Sequence, residues 1–161
     1  MTLSLVRVDD RLIHGQVTTG WTRNVQANLI VVADDQAADN SMQSNLMKMA
    51  APPGVDVEVL PVEEAAEELK AGTWDDRKVL LLLRGSRELL RLVEEGVELE
   101  KVNVGNAGGG EGKIRLTKQV AATEEEMEAW RKLNEKGIDL EVQWMPGHQR
   151  TDLNKVIRKK S

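Results

Sequence analysis

Residues 6–17 read Val-Arg-Val-Asp-Asp-Arg-Leu-Ile-His-Gly-Gln-Val, and His14 is the one group there that could act as a nucleophile. Histidine titrates near neutrality, so a neutral imidazole with a free ring nitrogen is available at cell pH. Arg11, three residues earlier, is a fixed cation whose planar fork suits phosphate oxygens. Backbone N–H groups of Gly15 and Gln16, just after His14, would open a helix and present an anion site. A nucleophile, a cation and free N–H groups together suggest a phosphoryl group visiting His14. Asp9 and Asp10 could be a carboxylate pair for acid–base work, or one of them could orient Arg11 or His14 by a hydrogen bond. The plainer alternative is a surface histidine beside ordinary Arg–Asp ion pairs.

The elements needed to hold these groups follow from the patterning around them. Residues 3–8 read as a strand and 15–24 as a short helix, which puts His14 at the junction. Residues 28–33 form a compact apolar run, a buried strand. Asp34 or Asp35 can then cap one helix carrying Met42, Leu46, Met47 and Met49, which Pro52-Pro53-Gly54 stops. Residues 55–60 alternate apolar with acidic, as a strand near an edge does, and residues 62–71 form a helix ended by Gly72. Residues 78–83 make the most continuous apolar strand, expected at the centre of the sheet. A helix from about Ser86, with Leu89, Leu90 and Val93 inward, closes at Gly96.

Residues 101–104 form a short strand. A glycine-rich loop, 105–112, leads into an extended segment with Ile114, Leu116 and Val120. Thr123 to Glu126 is a capping box for a helix through Lys136, with Met127, Trp130 and Leu133 inward. Residues 138–144 form a last strand with Leu140, Val142 and Trp144 on one face. Pro146-Gly147 turns the chain into a final helix marked by Leu153, Val156 and Ile157. Strands alternating with helices imply an α/β fold: one domain over residues 1–161, an open and mainly parallel sheet, helices on both faces. Ligands of such sheets bind beyond the carboxyl ends of the strands, where His14 falls.

Composition removes other chemistries. The chain has no Cys, so thiolate nucleophiles, thiolate metal sites and disulfides are absent. Its net charge of −5 and lack of Phe and Tyr argue against a nucleic-acid surface. The longest apolar run, residues 79–83, is far below the roughly 18 residues of a membrane span. No signal peptide opens the chain, and a cytoplasmic protein is expected. His148 has no third partner with which to join His14 at a metal, and no metal or cofactor is expected. The 105–112 loop departs from both nucleotide fingerprints. A P-loop needs Gly at 107 and Ser or Thr at 114, where Ala107 and Ile114 stand; a dinucleotide turn from Gly108 needs Gly where Lys113 stands. It is read as a flexible loop flanking the His14 site. Trp21, two helical turns beyond His14, is read as core packing or as part of a docking surface.

The run from residue 6 to 17 resembles, nearly letter for letter, the signature of the mannose/fructose/sorbose-type IIB components of the bacterial sugar phosphotransferase system (PTS). Further phrases share that resemblance: 51–55, 90–97, 101–105 and the end of the chain from residue 133. It implies about seven strands and a protein-Npi-phosphohistidine–sugar phosphotransferase. His14 would take a phosphoryl group from phospho-IIA and pass it to a sugar held by the membrane IIC and IID components. By the same resemblance His14 is phosphorylated on Nδ1, with Nε2 holding the proton of the neutral ring. Arg11 would neutralise the moving group, and Asp10, Gly15 and Gln16 would form the phosphate site. The chain would lie at the inner face of the membrane when in complex, without inserting into it. The residues after Gly105 depart from the family, Asn106 and Ala107 standing where Gly and Met are expected, which bears on specificity if the loop meets partner or sugar. Two alternatives stay open: a regulatory module that binds an anion or sugar phosphate without turnover, and a nucleotide-dependent enzyme resting on the glycine loop.

Overall fold

A computed structural model describes residues 3–108 and 114–160. The chain forms β1 (Leu3–Asp9), α1 (Gly15–Asn24), β2 (Leu29–Ala33), α2 (Asp35–Ala38), α3 (Ser41–Met49), β3 (Asp56–Leu60), α4 (Val62–Ala71) and β4 (Val79–Leu83). Then follow α5 (Ser86–Glu94), β5 (Lys101–Asn106), β6 (Ile114–Arg115), β7 (Ala121–Ala122), α6 (Glu124–Glu135), β8 (Asp139–Val142), β9 (Thr151–Asp152) and α7 (Leu153–Lys160). Seven strands make one sheet in the order β3-β2-β4-β1-β5-β8-β9, parallel except where β9 runs back against β8. β6 and β7 form a separate antiparallel pair.

The middle of the sheet is β1, with β4 its inner neighbour. The two faces differ. Val6 and Val8 point into a large aliphatic layer with Leu81, Leu83, Val102 and Val104, covered by Leu69, Leu89, Leu92, Met127, Trp130 and Leu133 of α4, α5 and α6. The other face carries a smaller cluster of Ile30, Val32, Leu80 and Leu82 under Leu12, Ile13, Ala37 and Met47. On that side the period-two alternation of β1 also places Arg7 and Asp9, both buried. In register with Arg7 stands Asn103 of β5, buried as well. Part of the second core is therefore polar, and it lies beneath the candidate site.

The structure alters several expected elements. The single helix after β2 is two: Asp34 caps α2 by accepting from Ala37 N–H, and Asn40 caps α3 by accepting from Gln43 N–H. Of the four apolar residues assigned to it only Met47 is buried, while Met42, Leu46 and Met49 face outward. In α5, Leu92 is fully buried and Val93 only partly so. The last parallel strand ends at Val142, leaving Trp144 in the following turn. β9 was not expected from the sequence. Gly105 and Asn106 continue β5, and Ala107 bridges to Val120. Residues 109–113 of the glycine-rich loop lie outside the described residues. The capping box is present in full: Thr123 Oγ1 accepts from Glu126 N–H, and Glu126 Oε1 accepts from Thr123 N–H.

Candidate functional site

The turn from β1 into α1 is built on backbone that L-residues seldom adopt. Leu12 has φ +58° and Gly15 φ +54°. The buried Leu12 side chain anchors the turn in the smaller core and offsets the cost of that geometry. His14 occupies the N-cap position of α1, its N–H donating to Thr18 Oγ1 at 2.9 Å. No side chain caps this helix, so the first-turn N–H groups of the exposed Gly15 and Gln16 have no partner within it.

Asp9 is the hub. It is 0% exposed, and its two oxygens serve three neighbours. Oδ1 accepts from the Arg11 backbone N–H at 3.1 Å and from Arg11 Nε at 3.3 Å. Oδ2 accepts from Arg7 Nη2 at 3.3 Å and lies 3.7 Å from His14 Nε2. Arg7 is 2% exposed, and its remaining hydrogen bonds run to neutral acceptors. Nη1 donates to the Asn103 side-chain oxygen and to Gln143 O at 3.0 Å, and Nη2 donates to Trp144 O at 3.0 Å. Its guanidinium also lies over the Trp21 ring, 4.9 Å from the centroid. Burial pulls the Arg7 pKa down to about 10, against the opposing pull of Asp9. Arg11 remains 38% exposed and stacks over Trp144 at 4.4 Å.

The ring of His14 differs from the expectation. Nδ1 lies 3.0 Å from Leu12 O, and a carbonyl only accepts, so in this orientation Nδ1 carries the proton. Nε2 is buried and without a hydrogen-bond partner, facing Asp9. The arrangement with Nδ1 free requires the ring to turn about its Cβ–Cγ bond and the proton to move from Nδ1 to Nε2.

Asp10 takes a different place from Asp9. Its N–H donates to Asn106 O at 2.9 Å, and its carboxylate accepts from Asn106 Nδ2 at 2.9 Å. It thereby ties the end of β1 to the end of β5. Just beyond the neighbouring strand β4, Arg84 is held by the buried Asp34 through bonds of 3.0 and 2.8 Å, which raise its pKa. His148 is exposed in the turn after β8. Among the described residues no group of three or more His, Asp or Glu is placed to hold a metal ion, and no helix is long and apolar enough to cross a membrane.

His14, the exposed Arg11 and the open first-turn N–H groups of α1 all lie at the carboxyl end of the central parallel strand β1. Comparison with known proteins gives this arrangement a context. The family model "PTS system sorbose subfamily IIB component" matches residues 3–161. The chain belongs to this family. It is 35% identical over 142 residues to the sorbose-specific EIIB component of Lacticaseibacillus casei, covering 88% of this chain and 87% of that one. It is 30% identical over 158 residues to the fructose-specific EIIB component of Bacillus subtilis, covering 98% and 97%. The mannose-specific EIIAB component of Escherichia coli is 38% identical over 142 residues, but this chain spans only 44% of its length. The crystal structure of the IIB domain of the Klebsiella pneumoniae sorbose permease superposes with a TM-score of 0.92 at 30% identity, covering 100% of this chain and 99% of that one. The IIB fold and a place among the IIB components of the sugar phosphotransferase system follow from this membership.

Within this IIB chain the tertiary structure brings His14, Arg11, Gly15 and Gln16 together, as the local spacing implies. It adds residues that sequence reasoning passed over. Arg7 stands inside the motif, where the local pattern marks it only as part of a strand. Asn103, Gln143 and Trp144 lie 96 to 137 positions from Arg7, and no local pattern links them to it. Trp21 is buried as core packing predicts, and its Nε1 donates to Trp144 O at 3.0 Å.

Proposed function

We propose that His14 is the phosphoryl acceptor of a phosphocarrier cycle. A phosphohistidine of a IIA protein would lose its P–N bond as a new P–N bond forms to a ring nitrogen of His14. In the second step that bond breaks, the phosphorus bonds to a sugar hydroxyl oxygen, and the hydroxyl proton leaves to the ring or to water. The sugar would be held by membrane IIC and IID components, with this chain docking at the inner face of the membrane. Little covalent work falls to the protein in such a transfer; positioning and charge stabilisation carry it.

The observation that carries this reading is the setting of His14. It caps a ten-residue helix whose first N–H groups are open, three residues from the exposed Arg11. Gly15 and Gln16 would donate backbone N–H groups to the phosphoryl oxygens, and Arg11 would offset their charge. Acceptance on Nδ1 would proceed after the ring turns away from Leu12 O and its proton passes, through water, from Nδ1 to Nε2. Asp9 would then attract the remaining N–H and fix the ring. Asp10 would act through Asn106, holding the ends of β1 and β5 in place around the phosphate. No metal or cofactor enters this mechanism.

The test is phosphotransfer from phosphoenolpyruvate through the general phosphotransferase proteins and a mannose- or sorbose-type IIA, followed by mass. One acid-labile phosphate on the parent chain and none on His14→Ala is the expected result. Equal incorporation in His14→Ala would refute the assignment. No incorporation in the parent, with the same partners competent on a known IIB, would favour the regulatory anion-binding module instead.

A further inference from the structure

Trp144 lies in the turn between β8 and β9, close to the His14 site through three contacts. Its carbonyl oxygen accepts from Arg7 Nη2 and from Trp21 Nε1, each at 3.0 Å. Its indole lies against the Arg11 guanidinium, 4.4 Å from ring centroid to Cζ. Arg11 is otherwise held by side-chain bonds to Asp9 of 3.3 and 3.5 Å, both near the long end of the range. A stacked aromatic and a carboxylate hold an arginine in different ways. A carboxylate occupies the N–H edge and cancels the charge. An indole takes the flat face, carries no net charge and leaves outward N–H groups free for a second acceptor.

We propose that Trp144 is a positioning residue for phosphoryl transfer, seating the Arg11 guanidinium so that its unused N–H edge meets the phosphoryl group on His14. The role rests on the reading of His14 and Arg11 given above. Without the indole, Arg11 keeps only its Asp9 contacts and turns toward that carboxylate or to solvent. The backbone carbonyl that secures Arg7 and Trp21 survives any change of side chain at position 144, so the two functions of the residue can be separated.

The experiment measures transfer from a phosphorylated sorbose- or mannose-type IIA to this chain for Trp144→Leu, Trp144→Phe, Arg11→Gln and the Trp144→Leu/Arg11→Gln pair, with His14→Ala as the blank. Trp144→Leu should lower the maximal rate about tenfold, the order of one partly desolvated cation–π contact, while the KM for phospho-IIA changes less than about twofold. Trp144→Phe, which keeps an aromatic face, should recover most of the rate. In the Arg11→Gln background the leucine change should have almost no further effect, because a residue acting through Arg11 has nothing left to position. A parental rate in Trp144→Leu, or an undiminished further loss in the Arg11→Gln background, would overturn the role. A loss equal in the Phe and Leu variants would overturn it too, since the aromatic face would then not matter. Phosphate incorporation by His14→Ala, or a parental rate in Arg11→Gln, would remove the underlying reading and this role with it, and those outcomes are seen without any change at position 144.

Discussion

Asp9 holds three cationic or titratable neighbours with two oxygens, and this sharing explains why the site tolerates a fully buried arginine. Burying a guanidinium is costly unless its charge and its N–H groups are met. Here Asp9 meets the charge, while Asn103, Gln143 O and Trp144 O meet most of the remaining donors. Arg11, at the surface, keeps its charge available. The fit is tight at Gly105, where an added Cβ would overlap the Arg7 guanidinium and lie 2.7 Å from Asp9 Oδ2. Gly105→Ala is therefore expected to destabilise the fold by about 1–3 kcal/mol, the usual cost of overpacking, and to slow phosphorylation of His14 as the Arg7–Asp9 pair shifts. Urea unfolding would show a lowered midpoint with the slope unchanged.

At the scale of elements, the carboxyl ends of β1, β2 and β4 each place a charged residue at the same edge of the sheet: Asp9, Asp34 and Arg84. In the first turn of α5, Glu88 joins them. Its carboxyl is held above the usual range, chiefly by loss of hydration and further by the nearby charge of Asp34, with Arg87 and Arg84 opposing. The folded chain thus keeps that proton to a higher pH than the unfolded chain does. Stability associated with Glu88 is complete below its unfolded pKa and declines as pH rises through the folded value. Glu88→Gln has no such proton to lose. Its Tm relative to the parent should rise with pH across and above the carboxylate range, and paired melts at acid and neutral pH would check this. A constant difference would mean that Glu88 does not titrate abnormally. The α3 helix shows the opposite economy: Met42, Leu46 and Met49 lie outward, and only Met47 reaches the core.

For the whole molecule, stability rests on a sheet buried on both faces through its middle. β4 is wholly buried along its length, and Leu81 is packed under α4 and α5. Leu81→Ala leaves a cavity in this closely packed layer and should cost about 2–5 kcal/mol. Calorimetry should show one lowered transition rather than two, since both core layers share β4 and unfold together. Two early transitions would mean that the two faces are separate cooperative units.

The sequence alone determined the alternation of strands and helices, a cap at Asp34 or Asp35, the capping box at Thr123, the edge character of β3 and the position of His14 at the end of β1. Each is written in a short window, by apolar period or by one capping residue. It also carried the segment proposed as the phosphoryl acceptor, whose members are neighbours in the chain. Only the tertiary structure decided the rest. The change of hand at Trp144, from strand face to turn, depends on β8 ending where β5 gives it a last partner, Gln143 N–H to Val104 O. That Arg7 sits inside, that Asn103 and Trp144 meet it, and that Arg11 rests on an indole all depend on the register of β1 with β5 and on the return of the chain after β8. These contacts join segments 96 to 137 residues apart, and a periodic pattern along the chain holds no record of which distant residue will stand across from it.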